Sequence, residues 1–436
     1  MKPVLALFVF IDACGWQIIK DDPFVRNVAP YRRRLRSVFG YSSACIPSIL
    51  SGRYPNETRN WSYFVYDPTN SPFRSLRWLR WLPAAMTSRR RVRNVLSSWA
   101  KRKLKFKGYF DLYNMPFKEI ALYDFTEKKS PLKPGGMNCG PNIFDWLQQR
   151  SIPYHVSEPS RGEEGNLEAL MRDLEQESID FAFLYWPELD GLMHRVGNDS
   201  SEVPKKLRNY EERIGRLLGC AREHYQDIRL YVFSDHGMAN CDQHINLRAK
   251  IDALGLKLHK DYAVVYDSTM ARFWFFNTAA RKKITHCLRK VRCGQILSDA
   301  ELTDLGTLFP DRYFGELIFL MDEGTLIVPS HMGERPIRAM HGYHPDAPHS
   351  YASLLTNRPN VPAGINAIPD MYRLMTVEAD AAHTANRSPG ATDGMAPLAA
   401  RPPSAAPVQA SVANTLEPQA MPAVSPAGIK STAAPR

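Results

Sequence analysis

Residues 229–238 read Arg-Leu-Tyr-Val-Phe-Ser-Asp-His-Gly-Met, an apolar run that stops abruptly on Asp235 and His236. Leucine, tyrosine, valine and phenylalanine in one short run predict a buried strand. In open α/β sheets, ligands bind beyond the carboxyl ends of the parallel strands. The two polar side chains that follow this strand are both capable of binding a metal, so this end of the strand is the first candidate for a functional site.

Two further apolar runs end on acids in the same way. Residues 4–11 lead directly to Asp12, and residues 181–186 lead within four residues to Asp190. Residues 200–225 carry apolar side chains at steps of three and four, which predicts an amphipathic helix that feeds the strand at 229. Alternation of strands and helices predicts an α/β fold with a mostly parallel sheet covered by helices on both faces.

The size of the chain, 436 residues, allows a large core and as many as two or three domains. No run of about twenty apolar residues is present, so no transmembrane helix is predicted. The first strand imitates a short signal peptide, but the run is too short and Asp12 interrupts it. Seven cysteines without a Cys-x-x-Cys pair are typical of reduced thiols. We therefore expect a cytoplasmic protein.

The positive charge of the chain comes from one segment. Residues 74–107 contain twelve Lys and Arg and no acid, so the net charge of +11 becomes −1 without them (11 minus 12). Three tryptophans and several leucines at helical spacing lie among the basic residues. This pattern predicts contact with an anionic membrane surface, which would make the protein peripheral at the membrane. A solvated lid is the plain alternative, and nucleic-acid binding is a third, although no recognised nucleic-acid module is present.

The sequence divides into a main body and three further segments. The body spans 1–375, and it is interrupted by the basic aromatic insertion at 69–135 and by a mixed, cap-like insertion at 245–338. From 379 to 436 no aromatic residue occurs, and Ala, Pro and Ser dominate. Such a composition buries too little apolar surface to offset its ordering entropy, so this tail is predicted to be disordered. No feature of the sequence indicates an oligomeric state.

The acids and histidines that follow apolar strands form one candidate set. Its members are Asp12, Asp190, His194, Asp235, His236 and His341. Taken singly, each has an ordinary structural explanation, such as a surface i, i+4 pair or a turn cap. Their joint placement after buried strands favours a metal site, because buried charges need a partner. Mixed Asp/His ligation suits zinc or a similar first-row ion better than magnesium or calcium.

The order of these motifs along the chain resembles a known family. The motifs are Asp12, Asp190-x-x-x-His194, Ser234-Asp235-His236-Gly237-Met238 and His341-Gly342-Tyr343. Over residues 1–355 they resemble the alkaline phosphatase superfamily, in particular its type I phosphodiesterase/nucleotide pyrophosphatase branch. The resemblance implies an α/β sandwich that holds two divalent ions, most often Zn²⁺, with Mn²⁺ as the alternative. It assigns Asp190, His194 and His341 to one ion and Asp12, Asp235 and His236 to the other.

The resemblance also implies a nucleophile. In that family, a Ser or Thr opens a helix ten residues before the glycine of a Gly-x-Tyr-Pro turn. The turn matches residues 52–55, which gives Ser42, with the adjacent Ser43 as the alternative. Local sequence alone favours a capping role for such a hydroxyl residue. A helix N-terminus also stabilises an attacking alkoxide, so the same position suits a nucleophile. With a serine nucleophile, the resemblance implies a phosphoserine intermediate.

The chain departs from the family pattern at two positions. Residues 45–48 imitate the formylglycine motif of sulfatases, but Ile49 stands where that motif needs Arg. The family's asparagine that binds the phosphoryl oxygen falls on Tyr63 in an ungapped match, and Asn60 is a nearby substitute. Tyr63 and Asn60 are therefore the expected substrate-binding residues.

Together these patterns predict a metal-dependent phosphodiesterase or nucleotide pyrophosphatase that hydrolyses a phosphodiester or another phosphate ester. The basic aromatic insertion favours a phosphodiester with a lipid or polyanionic portion. A sulfatase or a phosphoryl-group transferase of the same superfamily is the alternative within the fold. A non-catalytic protein that binds a membrane or nucleic acid is the alternative from another class.

Overall fold

The structure is a computed structural model that describes residues 1–82 and 89–387. Its strands are β1 (Lys2–Ile11), β2 (Tyr31–Leu35), β3 (Phe64–Tyr66), β4 (Tyr123–Phe125), β5 (Tyr154–Val156), β6 (Phe181–Trp186), β7 (Tyr225–Phe233), β8 (Ala239–Asn240), β9 (Gln243–Ile245), β10 (Tyr262–Tyr266), β11 (Met270–Phe275), β12 (Gly294–Ile296), β13 (Leu317–Met321), β14 (Thr325–Ile327), β15 (Ala339–Met340) and β16 (Ala352–Thr356). Its α-helices are α1 (Trp16–Ile19), α2 (Ser42–Ser51), α3 (Pro55–Thr58), α4 (Arg90–Lys103), α5 (Ile143–Gln149), α6 (Gly162–Glu175), α7 (Glu188–Val196), α8 (Glu202–His224), α9 (Leu247–Asp252), α10 (Thr278–Leu288), α11 (Asp299–Asp304) and α12 (Asp370–Arg387). Three 3₁₀ helices lie at Pro72–Trp81, Ile120–Leu122 and Pro159–Arg161.

A six-stranded sheet in the order β2-β16-β7-β1-β6-β5 forms the centre of the molecule. Strands β5, β6, β1 and β7 run parallel, whereas β16 is antiparallel to both β7 and β2. The predicted α/β fold with a mostly parallel sheet is thus confirmed. The three strands that lead to the candidate acids, β7, β1 and β6, are neighbours, and their carboxyl ends lie at the same edge.

Strand β1 is buried on both faces. Phe8 and Phe10 face one apolar core, whereas Leu7 and Val9 face the other. Each such side chain contributes roughly 1.5–3 kcal/mol when fully buried. Because neither face of the strand meets water, its sequence is continuously apolar instead of alternating.

Helices cover both faces of the sheet. On one face α8 buries the predicted stripe, which comprises Val203, Leu207, Tyr210, Ile214, Leu217 and Ala221. On the other face α12 packs against β1 and α2. Because α12 continues to Arg387, the prediction of a disordered tail from residue 379 was wrong for its first nine residues. Ala379 and Ala382 are buried, and alanine has the highest helix propensity, so alanine-rich composition did not separate helix from tail. Residues 388–436 of that tail lie outside the described residues.

The two insertions have different structures. Within 245–338, strands β10-β11-β13-β12 form an antiparallel sheet separate from the central one. Within 69–135, the 3₁₀ helix Pro72–Trp81 and helix α4 precede the short strand β4, which pairs antiparallel with β3. None of the helices in the described part of the chain has both the length and the apolar content needed to cross a bilayer.

Candidate metal centre

Two neighbouring strand ends bring together the first group of ligands, here called the strand-end triad: Asp12, Asp235 and His236. Asp12 follows β1, and Asp235 and His236 follow β7 after one residue. All three are buried, and one ligand atom from each lies within 4.8 Å of the others. The Asp235 carboxylate accepts the backbone N–H of Ala13 at 3.3 Å and that of His236 at 3.0 Å. The backbone therefore holds one carboxylate oxygen and leaves the other for the triad.

The second group, here called the helix triad, comprises Asp190, His194 and His341. Asp190 and His194 lie one turn apart on α7, so their side chains share a face of the helix. One ligand atom from each of the three residues lies within 4.8 Å of the others. The His194 Nδ1–H donates to the carbonyl of Ala339 at 2.8 Å, which leaves Nε2 to face Asp190. Such a second hydrogen bond is typical of metal-binding histidines.

A small antiparallel ladder places His341 beside the strand-end triad. Strand β15, which directly precedes His341, pairs with β8, which follows Met238. As a result, the rings of His236 and His341 stack with centroids 3.7 Å apart. The next residue, Gly342, has φ +86°, and a Cβ there would lie 2.6 Å from the ring of Tyr41. Only glycine allows the His341 loop to pack this closely against the start of α2.

Burial and neighbouring charges shift the pKa values of three residues of the triads. Burial, followed by the charges of Asp235 and Asp190, raises the pKa of Asp12 well above its ordinary value. Burial opposes protonation of His236, but the Asp235 and Asp12 carboxylates outweigh it and raise the pKa of His236 to about 10. Burial and the neighbouring His236 lower the pKa of His341 far below its ordinary value.

Several side-chain atoms of the triad residues have no hydrogen-bond partner among the described residues. These buried atoms are Asp12 Oδ1, Asp190 Oδ1, Asp235 Oδ2 and His341 Nδ1. Leaving a buried polar atom unpaired is costly, and the cost is greater for a charged group. Three converging carboxylates with unpaired oxygens, together with three histidines, fit two divalent cations.

The two serines at the start of α2 point to different partners. Ser42 is the first residue of the helix, and its Oγ hydrogen-bonds with His236 Nε2 at 3.1 Å. The N-cap residue is Tyr41, so Ser42 does not have the capping role that local sequence favours. Ser43 is buried, and its hydroxyl donates to the carbonyl of Trp61 at 2.8 Å. Of the two hydroxyls, that of Ser42 is the one at the strand-end triad.

Cys45, the cysteine of the sulfatase-like motif, is not exposed at a reactive position. Cys45 is fully buried, and its Sγ lies 3.6 Å from both the Ser37 hydroxyl and the Val38 carbonyl. Burial, and then the charge of Asp235, raise the pKa of the Cys45 thiol. This environment suits a structural thiol of the core.

The two expected substrate-binding residues lie in different surroundings. The ring of Tyr63 stacks on Phe125 at 5.5 Å and on Tyr113 at 5.8 Å. Burial and the charge of Glu127 raise the pKa of Tyr63, and smaller contributions come from the carboxylates of both triads, so its hydroxyl lies within their field. Asn60 is buried, and its Oδ1 accepts the backbone N–H of Asn138 at 3.1 Å, which holds a loop in place.

Sequence reasoning missed one tyrosine at the strand-end triad and two tyrosines that pack beside Tyr63. The Tyr185 hydroxyl donates to Asp12 Oδ2 at 2.6 Å. Tyr109 and Tyr113 pack beside Tyr63, and the hydroxyl of Tyr113 donates to that of Tyr109 at 3.0 Å. Tyr185 is hidden in an aromatic strand, where its one polar atom near the end of β6 was the only available signal. No local signal relates Tyr109 or Tyr113 to Tyr63.

Comparisons with known proteins find relatives in both sequence and structure. The model of the family type I phosphodiesterase/nucleotide pyrophosphatase matches residues 7–344. The bis(5'-adenosyl)-triphosphatase of Pongo abelii is 26% identical over 218 residues, which cover 45% of this chain and 43% of that protein. The Homo sapiens ectonucleotide pyrophosphatase/phosphodiesterase family member 7 is 34% identical over 80 residues, or 18% of each chain. The chain thus spans less than half the length of these curated relatives.

Solved structures show the same fold. Human ectonucleotide pyrophosphatase/phosphodiesterase 5 superposes with a TM-score of 0.61 at 15% sequence identity, covering 87% of this chain and 95% of that chain. An inactive variant of the murine protein in complex with AMP gives a TM-score of 0.60 at 15% identity, covering 86% and 95%. At this level of identity the likeness establishes the fold alone.

Proposed function

Because the chain belongs to the type I phosphodiesterase/nucleotide pyrophosphatase family, we propose that it is a two-metal hydrolase of phosphodiesters or other phosphate esters. The observation that supports this most strongly is the position of the Ser42 hydroxyl. It lies at the start of a helix and 3.1 Å from His236 Nε2 of the strand-end triad. The ring of His341, a member of the helix triad, stacks on the ring of His236.

The two triads would hold one divalent cation each. Mixed carboxylate and imidazole ligands favour zinc, with manganese as the alternative. When bound, such cations neutralise charge on the transferring phosphoryl group and lower the pKa of an attacking hydroxyl. The hydrogen bond from His194 to Ala339 and that from His236 to Gly237 orient the two rings for this purpose.

Ser42 is the proposed nucleophile. Its Oγ forms a bond to phosphorus while the bond from phosphorus to the leaving oxygen breaks, and the leaving oxygen departs as the alcohol after the hydroxyl proton of Ser42 has been lost to solvent and one has been taken up. The phosphoryl group stays on Ser42, as a phosphoserine from a monoester and with its second ester group from a diester. Water then breaks the new bond and regenerates the Ser42 hydroxyl. The backbone N–H groups at the start of α2 stabilise the phosphoryl oxygens, because a helix N-terminus attracts anions.

Tyr63 is the proposed replacement for the family's asparagine. Its hydroxyl donates a hydrogen bond to a phosphoryl oxygen, and stacking on Phe125 and Tyr113 holds its ring in place. Asn60 supports this role only indirectly, through the loop at Asn138. Because Tyr109 and Tyr113 belong to the basic aromatic insertion, we expect that insertion to shape the substrate pocket and to favour a phosphodiester with a lipid portion.

Two of the three alternatives fit the geometry less well. A formylglycine sulfatase needs its converted cysteine at the metals, whereas the Cys45 thiol contacts Ser37 and Val38. A non-catalytic protein has no need of six converging ligand residues. A phosphoryl-group transferase shares the first chemical step and differs only in the acceptor. Adding alcohols to the assay and measuring whether they accept the phosphoryl group in place of water distinguishes the two activities.

Elemental analysis combined with a substrate panel tests the proposal. We expect two metal ions per chain and activity on an aryl phosphodiester above that on an aryl phosphomonoester or an aryl sulfate; the panel includes a lysophospholipid. Asp190→Asn should lose metal and activity, whereas Asp242→Asn, an exposed acid close to the site in sequence, should lose neither. Full metal content and full activity in Asp190→Asn would contradict the proposed centre.

A further inference from the structure

The 3₁₀ helix Pro72–Trp81 has three separate stripes of side chains, because a 3₁₀ helix has three residues per turn and residues i and i+3 eclipse. Phe73, Leu76 and Leu79 form the buried stripe. The leucines that made this segment look amphipathic are therefore used by the protein's own core. The outward stripes consist of Arg74, Arg77 and Arg80, and of Ser75, Trp78 and Trp81.

Helix α4 adds a second exposed face beside the first. Arg93, Ser97 and Ala100 face inward, whereas its outward residues include Arg91, Val95, Trp99 and Arg102. The rings of Trp78 and Trp99 lie 5.8 Å apart, so the two outward faces are continuous. We call this combined surface, built from the outward residues of both helices, the Trp/Arg face.

The Trp/Arg face exposes apolar side chains that a protein normally buries. Trp81 is 76% exposed, Val95 69% and Trp78 46%. Basic side chains lie over the indole rings, with Arg80 4.7 Å from Trp81 and Lys103 5.4 Å from Trp99. Indole rings next to arginine and lysine are typical of the boundary between lipid headgroups and acyl chains.

The charges on this face have almost no acidic partners. Of the twelve Lys and Arg in residues 74–107, Arg90 is the one that forms an ion pair within the described chain, with Asp111. The face is therefore complementary to an anionic surface. An aliphatic side chain such as Val95 cannot stack on a nucleic-acid base but can enter a bilayer interface, so the exposed residues fit a membrane better than nucleic acid.

We propose that the Trp/Arg face docks on the surface of an anionic phospholipid bilayer. The tryptophans enter the interface, and the arginines contact lipid phosphates. The insertion that carries this face continues into Tyr109 and Tyr113, which pack on Tyr63. The insertion that docks on the bilayer is thus the one that packs beside Tyr63, the proposed substrate-binding residue.

Cosedimentation of the full chain with phosphatidylcholine vesicles, with and without phosphatidylserine, tests the apolar part. We expect binding to the anionic vesicles alone. Trp78→Ala/Trp81→Ala should weaken it at least about tenfold, since two interfacial indoles are lost. Phe276→Ala removes a 43% exposed aromatic elsewhere on the molecule and should leave binding unchanged.

A matched pair of charge variants tests the electrostatic part. Arg77→Gln/Arg102→Gln should weaken vesicle binding roughly tenfold and reduce its dependence on salt. Lys282→Gln/Lys283→Gln removes the same charge from exposed positions on α10 and should have little effect. Hydrolysis of a soluble aryl phosphodiester should be the same in all these variants, because none of the residues is at the metal centre.

Several results would overturn the proposal. These are equal binding to neutral and anionic vesicles, equal losses in the control variants, retention of a single-stranded oligonucleotide without vesicle binding, or a dimer that the tryptophan variant converts to monomer. Failure of the unmodified protein to hydrolyse any phosphodiester would instead contradict the proposed function and leave the vesicle result standing.

Discussion

Replacing Ser42 and Ser43 one at a time should separate catalysis from stability. Ser43→Ala removes a buried hydrogen bond of 2.8 Å and leaves the Trp61 carbonyl without that donor. The expected loss is about 1–3 kcal/mol in the free energy of unfolding, with activity retained. Ser42 is only half-buried, so Ser42→Ala should cost less than about 1 kcal/mol. It should, however, lower kcat at least about a thousandfold, or about 4 kcal/mol of transition-state free energy.

Two measurements check this contrast. Urea unfolding gives the stability of each variant, and steady-state hydrolysis of an aryl phosphodiester gives kcat. Acid-quenched protein, digested and analysed by mass spectrometry, should carry the phosphoryl group, with the ester group that the diester retains, on the peptide containing Ser42 in the unmodified protein and in Ser43→Ala. An active Ser42→Ala protein would refute the reasoning, and phosphate on Ser43 would move the nucleophile by one residue.

Two further predictions concern Tyr63 and Glu127. Tyr63→Phe keeps the stacked ring but removes the hydroxyl, so kcat for an aryl phosphodiester should fall about a hundredfold. An unchanged kcat would show that this hydroxyl does not bind the phosphoryl group. Burial raises the pKa of Glu127 from 4.5 to about 8, so the folded protein holds a proton that the unfolded chain releases. Stability should therefore decrease as the pH rises from 4.5 to 8, by at most about 5 kcal/mol, and Glu127→Gln should flatten urea-unfolding curves measured across that range. The same slope in both proteins would contradict the assignment to Glu127.

The convergence of the candidate ligands could be predicted because the carboxyl ends of neighbouring parallel strands lie at the same edge of a sheet. An apolar run followed by Asp12 or by Asp235 puts each acid at the same edge of the sheet once the strands are neighbours. His341 follows no long strand, and its two-residue ladder has no sequence signal of its own. The residues alone placed His341 in the candidate set, and the family resemblance assigned it to the same ion as Asp190 and His194.

The contacts of the insertions could not be predicted in the same way. The three-residue period in 73–82 was visible, but only the structure shows that it belongs to a 3₁₀ helix whose leucines enter the core. The packing of Tyr109 and Tyr113 on Tyr63 depends on how the insertion folds back over the sheet edge. Long-range contacts of this kind leave no periodic signal in a single sequence.

The position of the insertions in the chain explains how one fold can hold its chemistry constant while its substrate changes. In sequence order, the segment 69–135 lies between Ser42 and the helix triad, and the segment 245–338 lies between His236 and His341. Neither insertion therefore interrupts an element that carries a candidate ligand. The strand order of the sheet places Asp12, Asp235 and His236 at one edge independently of what is inserted. Because loops tolerate change far better than buried strands, residues in the insertions can vary without moving a candidate metal ligand. Substitutions on the Trp/Arg face should thus alter where the protein acts, and substitutions in the triads should alter whether it acts at all.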